Sequence, residues 1–248
     1  MASEVRAAVF RPDDERLQDA VELLDSLGAT PVADPMLAVE PTGRLARTDA
    51  EFVVLTSKTG VELLAAADWD PDGATVVAIG AATAAALEDA GYGVDLVPEE
   101  YTSAGLVEAL VGRVDGARVE VARSDHGSAV LTDGLDDAGA YVHETVLYEL
   151  VRPDGAGSSA ALAADGELEA ALFTSSLTVE HFLDAAAERG IREAALAGLA
   201  DAVVGAIGPP TAETAAGHGI DVDVVADRAD FEVLACAVVE RAAPTYHE

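Results

Sequence analysis

The chain states one pattern twice, and that repetition narrows its fold more than any other feature. Val77-Ala78-Ile79-Gly80-Ala81-Ala82-Thr83-Ala84 returns as Val204-Gly205-Ala206-Ile207-Gly208-Pro209-Pro210-Thr211-Ala212. Each copy is a short apolar run, then Ile-Gly, two small residues and Thr-Ala. The apolar run reads as a buried strand, and glycine at the bend lets backbone approach closely. Thr near the helix start can cap it or meet a ligand. Two more pairs behave alike: Val54-Leu55-Thr56-Ser57 matches Leu172-Phe173-Thr174-Ser175, and Val9-Phe10-Arg11 matches Val121-Ala122-Arg123. The offset between copies drifts from pair to pair, as loop insertions would make it. An internal duplication of this kind predicts two similar lobes.

Strand-like runs at residues 7–10, 52–55, 76–79, 94–97, 118–122, 170–173, 203–207 and 220–225 alternate with helical stretches, the mark of parallel α/β sheets. The first helix shows the logic. Asp13-Asp14-Glu15 puts acids in its first turn, Leu17, Ala20, Val21, Leu24 and Leu27 follow at helical spacing, and Gly28 closes it. Two extended runs have no helix of their own: residues 34–41, bracketed by prolines, and residues 141–151. Residues 154–159, rich in Gly and Ser, read as a loop.

Charge excludes more than it assigns. There are 46 acidic residues against 14 basic ones, a net −32, and Lys58 is the only lysine. A nucleic-acid partner needs a basic footprint, so none is expected. The acids are spread along a chain that is half hydrophobic, which argues for a folded protein with a solvated surface suited to high salt. No apolar run reaches the roughly 18 residues of a membrane span, and the opening residues carry no signal-peptide pattern. One cysteine, Cys236, permits no internal disulfide. A cytoplasmic location is expected. His126, His143, His181, His218 and His247 lack metal-ligand spacing, so no metal is expected. No Ser-His-Asp pattern, nucleophile elbow or Gly-rich phosphate loop is present.

Where the polar residues fall is more telling. Arg11, Thr56-Ser57, Gly80, Arg123-Ser124, Thr174-Ser175 and Gly208 each follow the last residue of an apolar strand. In open parallel sheets, ligands bind at the carboxyl ends of strands, where helix N-termini offer N–H groups to anions. Two such lobes facing across a cleft would suit a large polyanionic small molecule.

These segments together resemble uroporphyrinogen-III synthases. The matches are Phe10-Arg11-Pro12, Leu55-Thr56-Ser57, Ala78-Ile79-Gly80-Ala81-Ala82-Thr83-Ala84, Val146-Leu147-Tyr148, Phe173-Thr174-Ser175 and Ala206-Ile207-Gly208-Pro209-Pro210-Thr211-Ala212. They run nearly the whole chain in order. The acidic, lysine-poor composition is similar to that of a haloarchaeal member. The duplication alone would cut the chain near Gly112. The resemblance instead implies two flavodoxin-like α/β lobes joined by a two-stranded β-ladder: residues 1–34 plus 152–248 as one discontinuous lobe, residues 39–147 as the inserted one, and linkers at 35–41 and 148–152.

The resemblance also implies an activity: cyclising hydroxymethylbilane, with loss of water and inversion of its last pyrrole, by a monomer that uses no cofactor, metal, nucleic acid or membrane. It places Tyr148 where the family has a phenol assisting hydroxyl departure. Arg11, Thr56, Ser57, Lys58, Thr83, Arg123, Thr174, Ser175 and Thr211 become the substrate-binding set. Three positions depart from the family: Ser176 replaces a frequent proline, Pro210 a frequent hydroxyl residue, and Val203 a frequent lysine. The competing expectation is a non-catalytic two-lobe binding or sensor protein for an anionic metabolite.

Overall fold

The computed structural model describes residues 5–243. The chain starts with β1 (Arg6–Phe10), α1 (Glu15–Ser26) and β2 (Thr30–Ala33). It continues through β3 (Ala38–Pro41), β4 (Phe52–Leu55), α2 (Lys58–Ala66), β5 (Thr75–Ala78), α3 (Ala81–Asp89), α4 (Ser103–Leu110), β6 (Arg118–Ser124), α5 (Ala129–Asp137) and β7 (Tyr141–Val151). Then come α6 (Ser158–Ala164), β8 (Ala170–Phe173), α7 (Ser176–Glu188), α8 (Arg192–Asp201), β9 (Val203–Ala206), α9 (Pro209–Gly217), β10 (Val224–Val225) and α10 (Phe231–Ala242). Two compact units result. One joins the chain up to Ala38 to the chain from Val151 onward, and the other is Val39–Leu150.

Each unit holds one five-stranded sheet, ordered β10-β9-β8-β1-β2 in the first and β3-β7-β6-β4-β5 in the second. The pairs β1–β2, β1–β8, β8–β9 and β9–β10 are parallel, as are β4–β5, β4–β6 and β6–β7. A single parallel bridge from Val77 to Leu96 marks a further neighbour beyond β5. Counted from β1, the first sheet has the flavodoxin-like order 2-1-3-4-5. Counted from β6, the second repeats it with its chain order rotated: β7-β6-β4-β5 and then the Leu96 bridge. The duplicated sequence segments occupy equivalent strands, β5 with β9, β4 with β8, and β6 with β1.

Small residues set the packing. Adding a Cβ to Gly198 on α8 would bring it within 1.7 Å of the Ala163 carbonyl on α6, so that helix pair needs glycine to approach. Bulk in the first unit comes from Phe10, stacked on Phe173 at 4.7 Å, with Phe182 edge-on to both. In the second unit Trp69 donates its indole N–H to Ala46, and the Tyr92 hydroxyl donates to the Trp69 carbonyl.

One buried carboxylate closes the discontinuous unit. Asp34, at the end of β2, accepts the N–H groups of Gly157 and Ser159 at 2.8 Å each and the Ser159 hydroxyl. It caps α6 from more than a hundred residues away, doing for that helix what a local N-cap does elsewhere.

The structure differs from the sequence reading in detail. Residues 94–97 form one bridge and not a strand, and the run at 220–225 narrows to Val224–Val225. Asp95 and Asp223 explain both cases: each carboxylate accepts a neighbouring strand N–H, from Val76 and Val204, in place of a ladder carbonyl. The expected loop at 154–159 gives way to α6 two residues early, at Ser158, where an Ala-rich sequence lacks helical periodicity. β2 has no counterpart in the sequence reading; Pro31 is tolerated there because the strand lies at the sheet edge. His247 lies outside the described residues.

Candidate functional site

The carboxyl end of each sheet gathers the residues singled out in the sequence. In the second unit, β4 ends at Leu55, half-buried Thr56 follows, and Ser57 caps α2 by accepting the Gly60 N–H at 3.0 Å. Tyr148, on β7, donates its hydroxyl to the same Ser57 Oγ at 2.9 Å. Ser57 Oγ thus accepts twice, and its own proton is left to point elsewhere. Tyr148 is 6% exposed, so its ring is fixed by packing and its hydroxyl by this bond.

Lys58 opens α2 as an exposed side chain paired with Glu62 at 3.3 Å. Such surface pairs are weak, which leaves the ammonium available to an anion. Arg123 is different. It is buried within β6, donating from one terminal nitrogen to Glu144 at 2.8 Å and from the other to the Ser128 carbonyl at 2.6 Å, while its Nε has no partner. A Cβ on Gly127 would lie within 2.3 Å of this side chain. The guanidinium is therefore wedged beneath the turn after β6, holding that turn and not facing solvent.

Gly80 caps α3 without a side-chain hydrogen bond, and Thr83 is buried on its first turn. The leading N–H groups of a helix have no intrahelical acceptor, so Ala81, Ala82 and Thr83 offer three donors. The ring of Tyr101, 61% exposed, lies directly against Gly80: a Cβ there would be 2.9 Å from it. Sequence reasoning did not single out Tyr101; an aromatic in an irregular segment carries no periodic signal.

The first unit repeats the layout with different chemistry. Thr174 donates to the Phe10 carbonyl at 2.5 Å, tying β8 to β1. Ser175 caps α7 in a reciprocal capping box with Thr178. Thr211 is buried on the first turn of α9, as Thr83 is on α3. Pro209 and Pro210 occupy the two preceding positions, so α9 has lost two of the donors that α3 retains. Thr214, not singled out in the sequence, donates to Ser176 at 2.8 Å, and Ser176 donates in turn to the Pro210 carbonyl at 3.2 Å.

Arg11, half-buried after β1, sits 4.7 Å over the Phe231 ring and donates to the Arg16 carbonyl. Burial, and then the charge of Arg16, lower its pKa from the ordinary arginine value. A cation in that situation gains from an incoming carboxylate. Among the described residues no group of three His, Cys, Asp or Glu side chains is placed to hold a metal, and no helix is long and apolar enough to cross a membrane.

Comparison with known proteins bears on the family and the fold. The family model described as uroporphyrinogen-III synthase HemD matches residues 18–236. A Methanothermobacter thermautotrophicus protein, provisionally named a uroporphyrinogen-III synthase, is 34% identical over 229 residues, covering 86% of this chain and 89% of that one. A solved structure of a mutant uroporphyrinogen III synthase from the extremely thermophilic bacterium Thermus thermophilus is similar in fold, with TM-score 0.66 and 21% identity over 96% of this chain and 98% of that one. The Helicobacter pylori uroporphyrinogen-III synthetase structure gives TM-score 0.64 at 16% identity, covering 96% of this chain and 99% of that one.

Proposed function

The chain belongs to the uroporphyrinogen-III synthase family, and from that premise we propose that it closes hydroxymethylbilane to uroporphyrinogen III, inverting the last pyrrole as the ring shuts. The family match across residues 18–236 carries this reading. The overall change is the loss of one water with carbon–carbon bond formation and no net oxidation, so it asks for acid–base help and positioning. Departure of the hydroxyl gives a cationic azafulvene. The substituted carbon of the last ring attacks it to give a spiro intermediate, which fragments and recloses with that ring reversed.

Tyr148 is the proposed acid. Its bond to Ser57 favours a relay in which the phenol donates to Ser57 Oγ while Ser57 passes its own proton to the departing hydroxyl. A positioned acid of this kind is worth roughly 10²–10⁴-fold. Arg11, Lys58, Thr56, Thr83, Thr174, Ser175 and Thr211 make up the proposed binding set for carboxylates and pyrrole edges. We assign Arg123 a positioning part in it, through the turn that it supports. The α3 N-terminus, with three free N–H groups, is the stronger carboxylate acceptor site; α9, with two prolines, is the weaker. The acidic surface is proposed to suit concentrated salt.

The test is the rate of hydroxymethylbilane consumption in multimolar KCl with a chelator present. The reading expects acceleration over the uncatalysed closure. Saturable binding with no acceleration would replace it with a binding-protein reading.

A further inference from the structure

Away from these strand ends, the second unit contains a cavity of about 420 Å³ whose lining includes Arg47, Arg118, Glu120, Asp136, Tyr141 and His143. It lies towards the amino-terminal end of the sheet, where Arg118 to Glu120 pair with Tyr141 to His143 in register. Its volume is within the range of small-molecule sites.

At its floor is Glu120, 0% exposed, in the middle of a parallel sheet. Oε2 of Glu120 meets the His143 ring at 2.6 Å, and Oε1 has no hydrogen-bond partner. A buried carboxylate oxygen without a donor is costly, and natural proteins rarely leave one. The two arginines of the cavity each have an acidic neighbour. Arg47 binds Asp49 through two nitrogens at 2.9 and 3.1 Å, and Arg118 faces Glu51 at 3.8 Å. Among the lining side chains the carboxylates of Asp49, Glu120 and Asp136 outnumber the two arginines, so the balance beside His143 is negative. Tyr141, 70% exposed, supplies an aromatic face at the rim.

We propose that this cavity is a binding site for a small organic cation bearing N–H donors, an alkylguanidinium or alkylammonium. Glu120 is closed to solvent in this structure, so the ligand's N–H reaches Oε1 as the neighbouring half-exposed His143 ring shifts, and its charge rests against the Tyr141 ring. The site is separate from Tyr148 and Ser57 and does not depend on the activity proposed above.

The test is an NMR titration of the full chain with n-butylguanidinium at fixed, high ionic strength, with tetramethylammonium as a cation that lacks N–H donors. Saturable shifts confined to residues around 47, 118–120 and 141–143, with no matching response to tetramethylammonium, are expected. Glu120→Gln keeps the volume and removes the charge, and it should weaken binding at least tenfold. Tyr141→Leu changes only an exposed side chain, so it provides the comparison if Glu120→Gln folds poorly; it should weaken binding several-fold. Undiminished binding in both variants, an equal response to tetramethylammonium, or no saturation in the wild type would overturn the proposal.

Discussion

Two hydroxyls 2.9 Å apart are the most consequential contact in the second unit. Tyr148→Phe removes one oxygen and little volume, so the fold should survive within about 1–2 kcal/mol. Turnover at saturating substrate should fall on the order of 10²-fold with little change in affinity, as for an interaction made in the transition state. Ser57→Ala separates the relay from a direct phenol: the relay predicts a loss comparable to that of Tyr148→Phe, whereas direct donation predicts a small one. Wild-type turnover in Tyr148→Phe would make this tyrosine an ordinary strand residue. A second residue-level expectation concerns acid. The hydrogen bond from Arg16 holds the Asp14 carboxyl below the usual aspartate range. Since the folded value is depressed, the stabilisation is present above the unfolded pKa of about 3.9 and is lost as pH falls through the folded value. An NMR titration of that carboxyl checks it; a midpoint at or above about 3.9 would contradict it.

Among elements, α6 depends on partners remote in sequence. Asp34→Ala would leave the Gly157 and Ser159 N–H groups and the Ser159 hydroxyl buried without an acceptor. We expect a loss of about 2–3 kcal/mol in denaturant unfolding. Asp34→Asn should recover part of it, and an unchanged midpoint in both variants would contradict the capping role. These ties explain what was and was not legible. The strand-to-helix turns at Thr56-Ser57, Gly80, Thr174-Ser175 and Gly208 were readable, because each is a local pattern of apolar run, small residue and cap. The role of Asp34 was not, since its partners follow only after the chain has built another unit. Arg123 was read as a ligand residue from its place after an apolar run. Its burial against Glu144 became visible only when register placed β7 beside β6. Glu120 was passed over for a similar reason: nothing local says that a strand glutamate will be wholly enclosed.

Over the whole molecule, the chain order of the second sheet is permuted relative to that of the first. The duplication alone pointed to a cut near Gly112. The contacts instead divide the chain at Ala38 and Leu150, because β6 and β7 share a sheet with β4 and β5. A fragment of residues 39–150 should therefore fold cooperatively alone, and a fragment ending at Gly112 should not; the reverse would contradict the division. With a net charge of −32, the fold should gain melting temperature from dilute to multimolar KCl as repulsion is screened. A flat response would remove the high-salt reading and leave the enzymatic one intact. The central claim turns on which way the last pyrrole faces in the product. Hydroxymethylbilane left to itself closes without inversion, so isomer analysis after incubation with the protein separates catalysis from mere tolerance of the substrate. The account predicts that the type III isomer dominates. Type I product alone, formed at the uncatalysed rate, would contradict it.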